Sequence, residues 1–333
     1  MSVKYRLISW NPAKRAYDTA LAVGLAVYLG LFVGIGFAMH ADATIETLLI
    51  RALATAAFLL LHVILSIGPL CRLNREFLPL LYNRRHLGVT LFLLALVHAV
   101  FSIVQFHAVG NVNPIVSLLT SGTGFQTFGA AALVIFFFMA ATSHDFWLAK
   151  LGPRFWKALH MGVYFAYALV VVHVALGALH SEVRPVLAIA TGAGMLWLLG
   201  MHVVAAFHER AGDRETGRVE DGWIDAGPVD TIEDGRARIV CAGERIAVFR
   251  YDGKLSAVSN VCRHQGGPLG EGRVIDGCIT CPWHGYQYLP GNGRSPAPFT
   301  EKIATYDVRV VGGRVYVNPE ANEPGTAVEP AHA

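Results

Sequence analysis

Six apolar stretches, near residues 17–39, 44–70, 87–107, 127–147, 157–178 and 185–207, fill most of the first 208 residues and constrain the fold more than any other feature. Each is long enough to cross a bilayer as a helix, which takes about 20 residues. Nothing in them alternates with period two over such lengths, so strands are excluded. Their interiors are almost free of charge, and six such helices in a water-soluble core would leave no polar face for solvent. Residues 1–208 hold 13 Lys/Arg and 6 Asp/Glu, whereas residues 209–333 hold 14 and 18. The first part is membrane-like, and the second reads as a net acidic soluble domain of ordinary size. A nucleic-acid partner is excluded, because the formal net charge is only +3 and the soluble part is acidic. Five cysteines in 333 residues are too few, and odd in number, for a disulfide scaffold.

The loops between the stretches set an expected orientation. Lys4, Arg6, Lys14 and Arg15 precede the first stretch, Arg72, Arg75, Arg84 and Arg85 lie between the second and third, and Lys150, Arg154 and Lys157 between the fourth and fifth. The alternate loops carry only Arg184, so the bias is 11 to 1. Basic loops stay in the cytoplasm, which predicts both termini there and a bacterial inner membrane as the location. Residues 1–16 lack a signal-peptide cleavage pattern and read as a cytoplasmic segment. Residues 17–208 form the membrane domain and residues 209–221, ERAGDRETGRVED, a charged linker. From 222 to 318 the pattern changes to short β-type runs such as RIAVFRY and GRVYVNP, punctuated by turn signals at Asp252-Gly253, Asp276-Gly277 and Gly312-Gly313. The tail, 319–333, is rich in Pro, Ala and Glu and reads as disordered. The expected fold class is therefore a six-helix membrane bundle followed by an all-β domain.

The strongest local motif lies in the β part. Cys262-Arg263-His264 is followed, after sixteen residues, by Cys281-Pro282-Trp283-His284. Two thiolates and two imidazoles suit tetrahedral zinc, but zinc fingers group Cys with Cys and His with His. Here each loop offers one of each. The arrangement, with QGGPLGEG and CPWHGYQY around it, resembles the Rieske [2Fe–2S] domain over roughly 220–318, in which two Cys hold one iron and two His the other. The resemblance implies Cys262, His264, Cys281 and His284 as metal ligands. High-potential Rieske domains add a cysteine to each loop, where Gly267 and Trp283 stand here, and a serine where Tyr286 stands. Losing the disulfide and that hydroxyl bond implies a low potential, toward the roughly −150 mV end of the range. Tyr288 stands where a hydroxyl can reach a ligand sulfur. Cys278 reads as a packed strand residue, and Cys241 and Cys71 as inert buried thiols.

Eleven of the fourteen histidines fall in residues 1–208. An ionisable residue inside a bilayer is a functional candidate by default. PLCRL at 69–73, the NRRHLG turn, LVH in the third stretch and LH-x₂-VY with a downstream VH in the fifth resemble the ferric reductase-like transmembrane domain over roughly 45–205. That resemblance implies two b-type haems stacked across the membrane. His98 and His173 map onto an outer pair and His160 onto an inner ligand. His86 is the first candidate for the inner partner, with His62 and Arg84 behind it. Gly162 and Gly177 offer close approach to a haem, Arg51 a propionate contact, and His40, His107, His144, His180, His202 and His208 read as interfacial.

No G-x-G-x-x-G follows a strand, so no flavin or nicotinamide domain is expected. The resemblance then implies a membrane oxidoreductase passing single electrons from a cytoplasmic donor, a ferredoxin or a reductase, through a [2Fe–2S] cluster and haem b to an external acceptor. Two other readings stay open: a Rieske oxygenase-like subunit acting on a membrane-soluble substrate, and a redox-sensing or assembly subunit. The oxygenase needs an iron held by two His and a carboxylate, and the soluble part has only His264, His284 and His332.

Overall fold

The computed structural model describes residues 12–40, 42–77, 80, 84–107, 113–120, 124–181, 185–214, 219–264, 266–282, 285–297 and 299–333. Its helices are α1 (Pro12–Met39), α2 (Ile45–Leu73), α3 (Arg84–His107), α4 (Pro114–Thr120), α5 (Gly124–Ala141), α6 (Asp145–Leu176), α7 (Ala178–Ser181) and α8 (Val186–Arg214). Six of these, α1, α2, α3, α5, α6 and α8, are long and apolar enough to cross a membrane, in line with the six stretches of the sequence. A helix satisfies its own backbone groups, so it can stand in hydrocarbon without water. The chain divides into two units, Met1–Gly68 with Asn83–Met201 and Pro69–Tyr82 with His202–Ala333.

In the helical unit, α2 is the hub. Half of its most apolar window is buried (50%), against 11% or less for the other five. Ala52, Ala56 and Ala57 are buried along it, and small side chains let neighbouring backbones approach closely. The outward faces carry exposed Leu31, Phe165 and Leu196, which in a bilayer meet lipid tails at no cost in burial. Helices α5 and α6 pack along each other.

The second unit is mostly β. Its strands are β1 (Val219–Glu220), β2 (Trp223–Pro228), β3 (Ala237–Ala242), β4 (Glu244–Tyr251), β5 (Lys254–Ser259), β6 (Arg273–Ile275), β7 (Cys278–Thr280), β8 (Gln287–Tyr288), β9 (Thr305–Tyr306), β10 (Val308–Val311), β11 (Arg314–Val317) and β12 (Ala331–His332). They form three antiparallel sheets, ordered β1-β2-β11-β10, β12-β5-β4-β3 with β9 also on β5, and β6-β7-β8. The turn signals hold: Asp252-Gly253 and Asp276-Gly277 take positive φ at both residues, as does Gly312-Gly313. Two-residue hairpin loops need that conformation to match strand twist. Asp221-Gly222 makes a fourth such turn, between β1 and β2.

Strand β4 is buried on both faces. Ile246 and Val248 point into one core with Ile224, Leu255 and Val317, while Ala247 and Phe249 point into the other with Ile279 and Ile303. Each fully buried side chain of this size contributes about 1.5–3 kcal/mol. The second core also contains Cys262, Cys281, Tyr286 and Tyr288, so the motif loops stand on a rigid apolar floor.

Two sequence expectations need correction. Helix α8 continues through Arg214 and β1 takes Val219–Glu220, so the charged stretch 209–221 is largely regular structure. Glu, Arg and Ala are good helix formers, and charge alone does not end a helix. The tail is not disordered: β12 pairs with β5, Val328 N–H donates to Gly291 O (2.8 Å) and Asn322 N–H to Thr305 O (2.9 Å). Composition misled here because the tail rests on a core that it does not itself contain. His107 closes α3, as expected of a residue at a helix end, and is buried there, its ring bonded to Ser117 Oγ and Gln126 Oε1 at 3.0 Å each.

Candidate functional site

The two motif loops, β5–β6 and β7–β8, are built on one plan. Cys262 O accepts from Gly266 N–H (2.7 Å) while Cys262 N–H donates to Gly267 O (2.9 Å). Cys281 O accepts from Gly285 N–H (2.9 Å) while Cys281 N–H donates to Tyr286 O (2.8 Å). Each loop thus folds back over its cysteine with the same pair of bonds. Gly266 and Gly285 take φ of +76° and +68°, a region that a side chain disfavours. This explains why each Cys is followed four residues later by glycine. Asn260 anchors the first loop: its carbonyl takes Leu269 N–H (2.8 Å) and its side chain takes Gly270 N–H (2.6 Å).

Cys262 and Cys281 are 1% and 3% exposed, and no disulfide occurs among the described residues. Tyr288 reaches the first thiol as its position suggested, with Oη 3.5 Å from Cys262 Sγ, and also accepts from Arg263 N–H (3.0 Å). Burial, and then the neighbouring Cys262, push its hydroxyl well above the ordinary tyrosine range. The His264 imidazole lies parallel to the Tyr286 ring, with centroids 4.9 Å apart and planes 7° apart. Tyr286 in turn donates its hydroxyl to the Glu301 carboxylate. Burial works to raise the Glu301 carboxyl, but the bonds from Tyr286 and from backbone N–H groups outweigh it and hold it below the usual range. Trp283 and His284 lie outside the described residues. Three of the four candidate ligands, Cys262, Cys281 and His264, thus lie within the described residues, and among those residues no three His, Cys, Asp or Glu side chains are grouped to hold a single metal ion. Cys278 is half-buried on β7 and outside both core clusters.

In the helical unit, the structure brings His98 of α3 and His173 of α6 together. Their ring centroids are 6.4 Å apart. His98 Nδ1 donates to Ile50 O (3.0 Å) and His173 Nδ1 to Phe125 O (2.8 Å). A backbone acceptor on Nδ1 fixes the tautomer and leaves the Nε2 lone pair for a metal. Two imidazoles that share one ion through bonds of about 2 Å have centroids roughly 6 Å apart, so the observed spacing fits a bis-imidazole site. Both rings border an apolar cavity of about 250 Å³ walled by Ala57, Leu61, Leu91, Ala95, Gly129 and Val170. The donor set and the mostly apolar walls suit an apolar, metal-bearing group.

The other candidates separate by their partners. His160 Nδ1 donates to Trp156 O (2.9 Å), its ring stacks on Trp156 at 3.8 Å, and its buried Nε2 has no hydrogen-bond partner among the described residues. His86 turns to α1, its Nδ1 2.7 Å from the Asp18 carboxylate. A carboxylate behind an imidazole is a common support for a metal ligand. His62 has both nitrogens engaged, Nδ1 with Phe58 O (2.8 Å) and Nε2 with the Tyr167 hydroxyl (3.1 Å).

Sequence reasoning missed Glu301, Asp18 and Gly129. A Cβ on Gly129 would stand 2.8 Å from His173 Nδ1, so this glycine makes room for the His173 imidazole. Gly177 lines the cavity but abuts Phe125.

Comparison with known proteins follows the same division. Residues 51–171 match the family "Ferric reductase like transmembrane component", and residues 222–307 match "Rieske [2Fe-2S] domain". Over 98 residues the chain is 39% identical to the anthranilate 1,2-dioxygenase ferredoxin subunit of Burkholderia cepacia, covering 29% of this chain and 91% of that one. Over 90 residues it is 38% identical to cholesterol 7-desaturase nvd 1 of Ciona intestinalis, covering 26% of this chain but only 19% of that one. A solved complex of reduced oxygenase and oxidized ferredoxin in carbazole 1,9a-dioxygenase matches at 26% identity and a TM-score of 0.29, over 31% of this chain and 98% of that one.

Proposed function

We propose, for a chain that belongs through residues 222–307 to the Rieske [2Fe–2S] family and through residues 51–171 to the ferric reductase-like transmembrane components, the work of a transmembrane electron carrier. It takes single electrons from a cytoplasmic donor, a ferredoxin or a reductase, and delivers them across the bilayer to an acceptor outside. Cys262, Cys281, His264 and His284 would hold the cluster. His98 and His173 would hold one b-type haem, and His160 with His86 a second. When bound, both kinds of group supply one-electron redox chemistry.

The observation that carries this reading is the facing pair His98 and His173 across an apolar cavity, each with Nδ1 committed to a carbonyl. The chain's own residues position and insulate. The two carbonyls fix the imidazoles, and the aliphatic walls exclude water and competing ligands. The buried cysteines stand on the second core, so the loops need little reorganisation when the oxidation state changes. The Asp18 carboxylate holds His86 in one orientation. Nearly the whole of a dioxygenase ferredoxin is matched, against a fifth of the desaturase, which favours a carrier over an oxygenase. The 11-to-1 loop bias supports a cytoplasmic β domain.

Purified protein is expected to hold two irons and two acid-labile sulfides per chain, plus haem b. His98→Ala and His173→Ala should each remove the same low-spin haem component, and His160→Ala a different one. Stoichiometric zinc without sulfide would end the cluster reading, and a full haem complement in both outer variants would end the haem reading.

A further inference from the structure

We propose that Glu301 sets the potential of the cluster site, acting through Tyr286 on the imidazole of His264; this rests on the cluster reading above. Glu301 lies outside the two motif loops, on the segment that leads into β9. That segment folds back on itself: Ser295 N–H donates to Glu301 O (3.0 Å) and Phe299 N–H to Pro296 O (3.1 Å). It therefore forms a third wall beside the two cysteine loops. Phe299 packs on Tyr286 from this wall, with ring centroids 5.1 Å apart. Tyr286 is 9% exposed and touches both Phe299 on the wall and His264 on the first loop. Its hydroxyl ends on the Glu301 carboxylate. A fixed negative charge is thereby tied, through one ring, to a ring that carries a candidate iron ligand.

The sign follows from electrostatics. Oxidised and reduced clusters differ by one electron, so a nearby anion stabilises the oxidised, more positive state and lowers the potential. The effective dielectric is below that of water at a site this buried, which strengthens the effect. The bland alternative is that Glu301 only fastens its loop, since its carboxylate also accepts Thr300 N–H at 3.1 Å. Gln separates the two roles, because its amide oxygen keeps an acceptor for Tyr286 and Thr300 while the charge is gone. The serine of high-potential domains has no ring to stack and no reach to position 301. A tyrosine here therefore does more than remove a hydrogen bond to sulfur: it connects the ligand to a carboxylate.

The experiment is a redox titration of the full-length protein in detergent, followed by the spectrum of the reduced cluster, with iron and sulfide measured on the same samples. Glu301→Gln is expected to keep the iron and sulfide of the parent and to titrate at higher potential. Glu301→Asp, which keeps the charge but draws it back by one methylene, should fall between the two. A Glu301→Gln protein with full iron and sulfide and an unchanged or lower potential overturns the proposal and leaves the cluster reading intact. If Glu301→Gln does not load, Glu301→Asp decides: a potential above the parent supports the proposal, and one at or below it overturns it. A parent protein without iron and sulfide would remove the cluster reading itself, which no result on the variants can do.

Discussion

Tyr288 serves two partners with one hydroxyl, the Cys262 sulfur and the Arg263 N–H. Tyr288→Phe removes a hydrogen bond to a candidate ligand sulfur, and fewer such bonds lower a cluster potential. It also strands a part-buried backbone donor, at a cost of about 1–3 kcal/mol. The expected outcome is a cluster that still assembles, titrates below the parent and melts earlier, read by redox titration and thermal unfolding. A potential equal to the parent's would mean that the 3.5 Å contact carries no weight. At this scale the sequence is legible where spacing is local. Cys262-x-His264 and Cys281-x-x-His284 can be read as candidate ligand pairs because both donors of each pair lie within a few residues in the sequence. Glu301 does not, because only the fold brings its segment back against Tyr286. Asp18 is hidden for the same reason: it is one acid near the end of an apolar helix until α1 and α3 are seen together.

Among the elements, α5 places a glycine directly against a candidate ligand. Gly129 leaves room for the His173 ring, which the Phe125 carbonyl already holds in place. Gly129→Val should push that ring off its acceptor, so the outer haem component is lost or becomes high-spin while iron and sulfide stay at parent level. Absorption spectra beside metal analysis check this, and a parent-like haem spectrum would show that the helices can separate at little cost. Helix existence could be read from the sequence because length and apolarity suffice for a span. Helix ends could not: α8 runs on through charged residues that propensity favours. The hairpins were legible because Asp-Gly and Gly-Gly are nearly alone in tolerating positive φ at both turn positions. The partners of His107, Ser117 and Gln126, could not be read either, because they come from α4 and α5 and no pattern within α3 announces them.

For the molecule as a whole, the side of the membrane on which the β domain lies decides which compartment's redox partner it can meet. A reporter fused after residue 208 should be active only in the cytoplasm, as the loop bias requires. Activity confined to the outer side would reverse the donor and acceptor while leaving every ligand assignment untouched. One further feature bears on how such a protein behaves in solution. The outer edge of β5 is shared by two short strands, β12 on Lys254 and Leu255 and β9 on Ala257 and Val258. A bare strand edge is a template for pairing with another chain, and short covering strands blunt it. Strand β12 covers half of that edge, so a change that lifts it bares the backbone of Lys254 and Leu255, and size-exclusion chromatography should then show self-association while iron and sulfide stay at the parent's level.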